Sequence, residues 1–311
     1  MTYASLSTLL TRQAAPAAPT SPKRGLVHVP SSLHPTDDII WKPAHGSHLT
    51  WYYNYKAAPS PSFADQKDLE FVPMLWGASD SSQGTPFLDA VTAQLESGAN
   101  ITHVLGFNEP DGPYIYGGSN ISPITAALVW QREIEPLKKL GVKLGAPAVT
   151  GSPNGFEWLA DWLEACGGGC NPDFIPVHWY GNFEGLASHV GQVTATFPGL
   201  KVWVTEWGCV DQGLAETQDM YADSVAMLDR WEAVERYSYF GAFRSDVSNI
   251  GPNSAMLTEN GALTDIGSWY MGGSATGAIP HGSNASFITQ SGWSRVLLTF
   301  VAGAIATGML W

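Results

Sequence analysis

Basic residues are scarce in this chain of 311 residues. It has 15 lysines and arginines against 28 aspartates and glutamates, which gives a formal net charge of −13. A nucleic-acid-binding surface neutralises phosphates with cationic side chains, so this balance argues against nucleic acid as a partner. Hydrophobic residues make up 44% of the chain, which is enough to bury a large core. The composition therefore indicates a globular protein that does not act on nucleic acid.

Cysteine is also rare, with three residues in the whole chain. Cys166 and Cys170 flank a Gly-Gly-Gly segment and could close a small disulfide loop, which leaves Cys209 over. A cysteine metal site needs more ligands than this, and no base is implied beside Cys209, so we interpret Cys209 as an inert buried thiol. We expect neither a metal nor an organic cofactor.

Charge is absent from the C-terminal end of the chain. Residues 296–311 read VLLTFVAGAIATGMLW, an apolar run shorter than the ~20 residues that a membrane-spanning helix needs. Small residues (HGSNAS) and a mostly polar spacer precede it, which is the pattern of a signal for a glycosylphosphatidylinositol (GPI) anchor, with Ser283 or Asn284 as the attachment site. A short membrane helix or a buried core helix remains the alternative.

The N-terminal end has too few apolar residues to fold. Residues 1–24 are rich in Ser, Thr, Ala and Pro, and we predict a disordered linker or propeptide there. No apolar signal-peptide core follows Met1, so secretion would require a start upstream of this sequence. The sequons at Asn100, Asn120 and Asn284 lend weak support to a secretory route. We expect a catalytic domain over residues 25–272 and a linker with the apolar tail over residues 273–311.

Between the two tails, short apolar segments alternate with segments of helical spacing, which predicts a parallel sheet covered on both faces. Eight such units in about 250 residues are typical of a single (β/α)₈ (TIM) barrel. A doubly wound open sheet is the alternative, but no Gly-rich dinucleotide fingerprint follows the first strand. The eight predicted strands are GLVHVP from Gly25, HLTWYYNY from His48, EFVPMLWG from Glu70, THVLGFNEP from Thr102, VKLGAPAVT from Val142, DFIPVHWYG from Asp173, KVWVTEWG from Lys201 and RYSYFGAFR from Arg236.

Two carboxylates follow or end strands of this predicted barrel. Glu109 lies in GFNEP after the fourth strand, and Glu206 lies in VTEWG at the end of the seventh. Active sites of (β/α)₈ barrels lie at the C-terminal ends of the strands, so these two side chains can face each other across the mouth. Cleavage of a glycosidic bond needs such a pair, one carboxyl to give a proton to the leaving oxygen and one to attack or direct water.

The segments GFNEPD, PVHWYG and VWVTEWG, in this order, resemble glycoside hydrolase family 128, the small β-1,3-glucanases of fungi and bacteria within the retaining clan of (β/α)₈ barrels. The resemblance covers about residues 25–272. It implies a double displacement in which Glu109 is the acid/base and Glu206 the nucleophile. It also implies that Asn108 holds the sugar hydroxyl next to the anomeric carbon.

Other candidate substrate-binding residues lie near strand ends. Tyr180 is our choice for a hydrogen bond that keeps Glu206 ionised, and for His178 a core position and a site position are equally supported. Three tryptophan rings could stack on glucosyl rings, although a tryptophan on a strand more often lies in the core. Asn54 and Tyr55 are candidate glucose contacts, and the acidic residues Asp37, Asp38, Glu133 and Glu135 are assigned to solvated faces. The candidate stacking platforms are Trp76, Trp179 and Trp207.

These observations predict a secreted or cell-surface, monomeric, retaining endo-β-1,3-glucanase that acts on cell-wall glucan, with attachment to the membrane through the lipid anchor. Two alternatives stay open. The chain could be a non-hydrolytic β-glucan-binding wall protein on the same scaffold, or a transglycosylase that passes the glucosyl-enzyme to another sugar.

Overall fold

The computed structural model describes residues 21–43, 46–78 and 84–282. Among these residues, eight parallel strands form two hydrogen-bonded sheets, one in the order β3-β2-β1-β8-β7-β6 and one of β4 and β5. The strands are β1 Arg24–Val27, β2 Trp51–Tyr53, β3 Glu70–Phe71, β4 His103–Val104, β5 Lys143–Leu144, β6 Phe174–Tyr180, β7 Lys201–Gly208 and β8 Val234–Tyr239.

Isolated parallel bridges connect the two sheets at both of their edges. Met74, in the segment after β3, forms a bridge with Leu105, directly after β4. Gly145, directly after β5, forms a bridge with Phe174, the first residue of β6. Every strand therefore neighbours the next around a ring, with β1 beside β8. The predicted α/β fold with the strand order of a (β/α)₈ barrel is confirmed, and the carboxyl ends of all eight strands meet at one mouth.

In the described part of the chain, six α-helices follow the strands from β3 onward. The connections after β1 and β2 contain short 3₁₀ turns instead, Pro35–Trp41 and Pro61–Phe63, each with a proline near its start that cannot donate a backbone hydrogen bond. The α-helices are α1 Pro86–Glu96, α2 Pro123–Glu133, α3 Pro153–Cys166, α4 Phe183–Thr196, α5 Leu214–Arg230 and α6 Asp265–Tyr270.

Two segments with helical spacing in the sequence, residues 122–141 and 215–234, are only partly α-helical. The segment from Ser122 to Gly141 contains α2 and then a 3₁₀ helix, Glu135–Leu140, because Pro136 cannot continue the α-helical hydrogen bonds. The segment from Ala215 to Val234 ends its helix at Arg230, and Val234 already begins β8.

The core has two layers. Alternate strand residues fill the barrel interior, where the Phe174 and Trp203 rings stack with centroids 4.1 Å apart. A larger outer layer lies between the strands and the helices. Because successive strand residues point to opposite faces, one strand serves both layers. The interior residues are Val27, Trp51, Tyr53, Val72, Met74, Leu105, Phe174 and Trp203.

The ends of the domain differ slightly from the predicted boundaries. β1 begins at Arg24, which the sequence assigned to the tail, and the Arg24 side chain is buried with its Nε donating to the Tyr237 hydroxyl over 2.8 Å. At the other end, the His281 carbonyl accepts from the Ser245 hydroxyl over 2.7 Å. Residues 1–20 and 283–311, which hold most of the N-terminal tail, the third sequon and the apolar run, lie outside the described residues. In the part of the chain that is described, no helix is long and apolar enough to cross a bilayer.

The acidic residues assigned to solvated faces are mostly engaged. Asp38 and Glu133 are buried, which corrects the prediction. Asp38 contacts His28 Nε2 at 2.9 Å, and Glu133 Oε2 accepts from the Phe87 amide at the start of α1. Asp37 pairs with Arg244 through both carboxylate oxygens. Glu133 and Asp37 therefore join segments that are distant in the sequence, which composition alone does not reveal.

Candidate active site

The two predicted carboxylates lie together at the mouth of the barrel. One oxygen of Glu109, one ring nitrogen of His178 and one oxygen of Glu206 all lie within 4.8 Å of one another. Glu109 follows β4, whereas His178 and Glu206 are opposite each other in the register of β6 and β7. Three strand ends therefore bring these side chains to one place.

The backbone at Glu109 is held in an unusual conformation. Its φ is +40°, whereas a residue that precedes proline, as Glu109 precedes Pro110, usually has an extended backbone. The left-handed region is unfavourable for a residue with a Cβ and persists where surrounding contacts impose it. Here the Glu109 amide donates to the Ala148 carbonyl over 2.7 Å, and the Glu109 carbonyl accepts from the Gly112 amide over 2.9 Å.

The surroundings of Glu109 favour its protonated form. The side chain is 15% exposed, and Oε1 lies 2.9 Å from His178 Nδ1. Burial raises the pKa of Glu109 above its usual value, the His178 contact opposes that rise, and the charges of Glu206 and Asp111 add to it. A carboxylic acid with a raised pKa is suited to donating a proton near neutral pH.

Three tyrosine hydroxyls surround Glu206, which is itself buried. Tyr55 donates to Oε1 over 2.7 Å, Tyr53 donates to the same oxygen over 3.3 Å, and Tyr180 donates to Oε2 over 2.6 Å. The pKa of each of the three phenols is raised well above its ordinary value, mainly by burial and to a smaller extent by the charge of Glu206. The phenols therefore keep their protons and remain hydrogen-bond donors. These hydrogen bonds hold the Glu206 carboxylate group in one orientation.

Tyr180 makes the contact that the sequence interpretation assigned to it. Tyr55, considered in the sequence only as a glucose contact, also donates a hydrogen bond to Glu206. Tyr53 was not among the candidates, although the alternation of Trp51, Tyr53 and Tyr55 in WYYNY places all three on one face of the strand. That pattern was the signal available in the sequence.

Asn54 lies next to this group but uses its side chain within its own connection. Its Nδ2 donates to the Ala58 carbonyl over 3.1 Å and to the Ser60 hydroxyl over 2.9 Å, and its Oδ1 accepts from the Lys56 amide. These bonds fold the 54–60 connection around Tyr55, whose φ is +62°. The structure therefore places Asn54 as a support of Tyr55 and does not present its amide to a sugar.

His178 is fully buried and lies between the two carboxylates. Its Nδ1 is 2.9 Å from Glu109 Oε1 and 3.5 Å from Glu206 Oε2. Burial lowers the pKa of His178, but the charges of Glu206 and Glu109 outweigh burial and raise it. Of the two readings left open by the sequence, the site position is the one that the structure shows.

Asn108 has a free acceptor. Its Nδ2 donates to the Gly117 carbonyl over 3.0 Å, while its buried Oδ1 has no partner among the described residues. A buried polar atom without a hydrogen-bond partner costs free energy, unless a bound ligand provides a donor for it. An acceptor beside the acid residue is suited to a sugar hydroxyl.

The three tryptophans differ in their access to solvent. Trp76 is partly exposed and lies against Tyr114, with ring centroids 6.1 Å apart. Trp179 is partly exposed, and its Nε1 donates to the Asn182 carbonyl. Trp207 is fully buried and stacks on Tyr221 of α5. Glu206 and Trp207 are successive residues of β7, and successive strand residues point to opposite faces. Because Glu206 points into the barrel, Trp207 points into the outer core layer and cannot stack on a sugar.

Glu109, His178 and Glu206 are also the group among the described residues that could hold a metal ion. His178 Nδ1 points at Glu109 within hydrogen-bond distance. Both Glu206 oxygens accept from phenols. Because the atoms that would ligate a metal already have hydrogen-bond partners, this arrangement is better suited to proton transfer than to coordination.

The cysteines lie away from this site. Cys166 and Cys170 form a disulfide with a Cα–Cα distance of 5.5 Å, and the turn that it closes follows α3. Cys209 is free and buried, and burial raises the pKa of its thiol. A thiol with a raised pKa is a poor nucleophile at neutral pH, as the sequence interpretation expected.

Comparison with known proteins agrees with this geometry. Residues 25–270 match the family described as "Glycosyl hydrolase catalytic core". Alkali-sensitive linkage protein 1 of Schizosaccharomyces pombe is 31% identical over 264 residues, which are 81% of this chain and 44% of that protein. The chain thus spans less than half the length of this curated relative.

Two solved structures place the fold among GH128 proteins. An endo-β-1,3-glucanase of Amycolatopsis mediterranei in complex with laminaritriose (GH128 subgroup I) is 28% identical, with a TM-score of 0.61 over 80% of this chain and 98% of that one. An oligosaccharide-binding protein of Trichoderma gamsii (GH128 subgroup VII) is 23% identical, with a TM-score of 0.61 over 83% of this chain and 96% of that one. The family resemblance seen in the sequence motifs is confirmed.

Proposed function

The chain belongs to the glycosyl hydrolase catalytic core family, and from this premise we propose that it is a retaining endo-β-1,3-glucanase. The observation that carries the proposal is the approach of Glu109 and Glu206, whose nearest carboxylate oxygens lie within 4.8 Å. Retaining glycosidases hold their two carboxyl groups about 5 to 5.5 Å apart, whereas inverting enzymes leave a wider gap for water. The short separation supports attack by a carboxylate.

In the first step, a Glu206 oxygen attacks the anomeric carbon and forms an ester bond to the sugar. The glycosidic C–O bond breaks, and the protonated Glu109 gives its proton to the leaving oxygen. Asn108 Oδ1 accepts from the hydroxyl next to the anomeric carbon, and this hydrogen bond strengthens as positive charge develops on the ring. The tyrosine hydroxyls hold Glu206 in place for the attack.

In the second step, Glu109 acts as a base. It takes a proton from water, the resulting hydroxide attacks the anomeric carbon, and the ester bond to Glu206 breaks. The protonated Glu109 and the free Glu206 carboxylate are restored. His178, beside both carboxylates, stabilises their negative charge in turn as the proton leaves and returns to Glu109.

The substrate and the endo mode are inferred from the relatives. The A. mediterranei structure, 28% identical, is an endo-β-1,3-glucanase with bound laminaritriose, and the Trp76 ring and the Asn108 acceptor are suited to a neutral sugar chain. Incubation with laminarin should release reducing ends from the unmutated protein and none from Glu206→Gln. Early products of mixed length would support internal cleavage, and glucose alone would contradict it.

A second candidate is a non-hydrolytic glucan-binding protein, which the fold match to the T. gamsii oligosaccharide-binding protein favours. Both carboxylates and the tyrosine donors are present here, which supports the enzyme. Binding of laminarin by the unmutated protein without release of reducing ends would decide for this alternative. Product chains longer than the substrate would instead reveal a transglycosylase.

We also propose that the protein works at the cell surface. The disulfide between Cys166 and Cys170 and the exposed sequon residues Asn100 and Asn120 support a secretory route. Release from cells by a phosphoinositide-specific phospholipase would support the lipid anchor, and retention after that treatment would count against it.

A further inference from the structure

Four polar side chains are buried together beside the loop that carries Tyr55. They are His28, Asp38, Asn54 and Ser60, with exposed fractions of 1%, 8%, 5% and 3%. His28 Nε2 lies 2.9 Å from Asp38 Oδ1, and His28 Nδ1 lies 2.7 Å from Ser60 Oγ. Asn54 Nδ2 extends this series by donating to Ser60 Oγ over 2.9 Å. We call these four residues the His28 network.

The donors and acceptors of the network follow one order. Burial raises the pKa of Asp38, but hydrogen bonds from His28 and Ser62 outweigh burial and lower it, so the Asp38 carboxylate accepts. His28 therefore donates from Nε2, and its Nδ1 accepts from the Ser60 hydroxyl. Ser60 Oγ in turn accepts from Asn54. A buried network whose polar atoms all have partners holds its members in one arrangement.

A series of Asp, His and Ser is also the arrangement of a hydrolytic triad, but Ser60 is not placed to attack a substrate. A nucleophilic serine must present its oxygen to the substrate. Here the Ser60 side chain is buried, and its oxygen lies between His28 and Asn54. The network therefore acts by holding backbone segments in place.

Asn54 and Ser60 are the two ends of a loop whose middle reaches the surface. Residues 55–59 are partly or fully exposed, whereas Asn54 and Ser60 are buried. The hydrogen bond between these two side chains closes the loop at its base. Tyr55, the first residue of the loop, has a φ of +62°, which a residue with a Cβ keeps only where its surroundings impose it. The network supplies this constraint.

Glu206 is held through its two oxygens by two separate elements. Tyr55 donates to Oε1 over 2.7 Å from the loop, and Tyr180 donates to Oε2 over 2.6 Å from β6. The His28 network bonds the loop of Tyr55, whereas Tyr180 belongs to a strand. A change in the network should therefore reach Oε1 and leave the Tyr180 contact in place.

We propose that His28 and Ser60 are positioning residues that act on Glu206 through Tyr55. The proposal rests on the proposed function, because Glu206 is the proposed nucleophile. His28 and Ser60 fix the base of the loop that presents the Tyr55 hydroxyl. The orientation of Glu206 Oε1 thus depends on buried hydrogen bonds that begin directly after β1.

Two replacements of His28 separate the two ends of the network. The amide oxygen of an asparagine can take the place of Nδ1 and accept from Ser60, whereas the amide nitrogen of a glutamine can take the place of Nε2 and donate to Asp38. We expect His28→Asn to keep kcat within about 2-fold of the unmutated protein and His28→Gln to lower it about 3- to 10-fold, with KM unchanged in both. Steady-state hydrolysis of laminarin measures this, and thermal melts verify folding. Equal losses of kcat in the two variants would overturn the proposal.

A double-mutant cycle tests whether the effect passes through Tyr55. Ser60→Ala should lower kcat about 3- to 10-fold, both alone and in the Tyr180→Phe protein. In the Tyr55→Phe protein it should lower kcat less than about 2-fold, because the hydroxyl through which Ser60 acts is already absent. The same loss in both backgrounds would show that Ser60 does not act through Tyr55.

The matched control is Ser224→Ala, at another buried serine, on α5. It should leave kcat unchanged in all three backgrounds. A loss of kcat in Ser224→Ala equal to that in Ser60→Ala would overturn the proposal, because any buried serine would then have the same effect.

A crystal structure of the Ser60→Ala protein tests the same contact without turnover. We expect the distance from the Tyr55 oxygen to Glu206 Oε1 to lengthen from 2.7 Å to beyond about 3.0 Å, the upper end of the range for an O–H···O hydrogen bond. An unchanged distance would overturn the proposal. If the unmutated protein does not hydrolyse laminarin, the proposed function fails, and the crystal structure alone decides whether the network positions Glu206.

Discussion

The phenol oxygen of Tyr55 lies 2.7 Å from Oε1 of Glu206, although the two residues are 151 positions apart in the sequence. Tyr55 follows β2 and Glu206 lies in β7, with β1 and β8 between them in the sheet. The contact exists because Tyr55 adopts a φ of +62° that the Asn54 hydrogen bonds support. The position of the proposed nucleophile is thus coupled to a connection on the far side of β1.

Removal of this hydroxyl should slow the reaction. We expect Tyr55→Phe to lower kcat about 10- to 100-fold, since a hydrogen bond to a charged group contributes about 1.5 to 3 kcal/mol. The measurement is steady-state hydrolysis of laminarin at saturating substrate, with a thermal melt to verify folding. Leu128→Ala, on the exposed outer face of α2, is the control and should keep the kcat of the unmutated protein. An unchanged kcat in Tyr55→Phe would show that this contact does not position Glu206.

Replacement of His178 should shift the pH dependence of activity. Burial raises the pKa of Glu109 and His178 opposes that rise, so His178→Gln should raise the pKa further. Proton donation is lost as pH rises through the pKa of the acid, so the alkaline limb of kcat/KM should move to higher pH. The exposed His281→Gln should leave the profile in place. Movement of the limb to lower pH in His178→Gln would contradict the assignment of Glu109 as the acid.

An ion pair at the opposite end of the barrel should control stability in acid. Glu70 accepts from Arg236 over 2.7 Å and has a side chain that is 15% exposed. Although burial opposes it, hydrogen bonds and charge from His103 and Arg236 lower the pKa of Glu70 from 4.5 to about 2. This shift corresponds to about 3 kcal/mol of stability. The contribution is present above the unfolded-state pKa and is lost as pH falls toward 2.

We therefore expect Glu70→Gln to lose about 3 kcal/mol of unfolding free energy at pH 7 and to approach the unmutated protein near pH 2. Urea unfolding at both pH values measures this. Asp65→Asn, at a residue whose side chain is 73% exposed beside Lys42, should have no measurable effect. A loss of equal size at both pH values would point to altered packing instead of the ion pair.

Removal of metal ions should not change the activity. The His178 nitrogen that could ligate a metal contacts Glu109, and the Glu206 oxygens accept from tyrosines. Dialysis of the protein against EDTA should leave laminarin hydrolysis at its original rate. Loss of activity that a divalent metal restores would show that Glu109, His178 and Glu206 form a metal centre.

Much of this protein could be predicted from local sequence patterns. Runs of Val, Ile, Trp and Tyr alternate with helical spacing, and this pattern directly reflects which backbone faces are buried. It identified the eight strands and the positions of Glu109 and Glu206 near strand ends. It failed for helix ends, where Pro136 ended α2 earlier than the apolar spacing suggested.

The contacts within the site could not be predicted in the same way. Trp207 was a candidate platform because it follows Glu206, yet alternation along β7 turns it into the core. Asn54 was a candidate sugar contact, yet its amide folds its own connection. Tyr53 was overlooked, although its spacing from Tyr55 would have indicated it. Each error concerns the direction of a side chain, which depends on register and loop conformation.

The sequence by itself determined the fold class and the family, because hydrophobic periodicity and short motifs are properties of neighbouring residues. Only the tertiary structure decided the left-handed backbone at Tyr55 and Glu109 and the location of His178 between two carboxylates. These features arise where distant segments pack, since burial, charge and hydrogen bonds from several strands act on one side chain together.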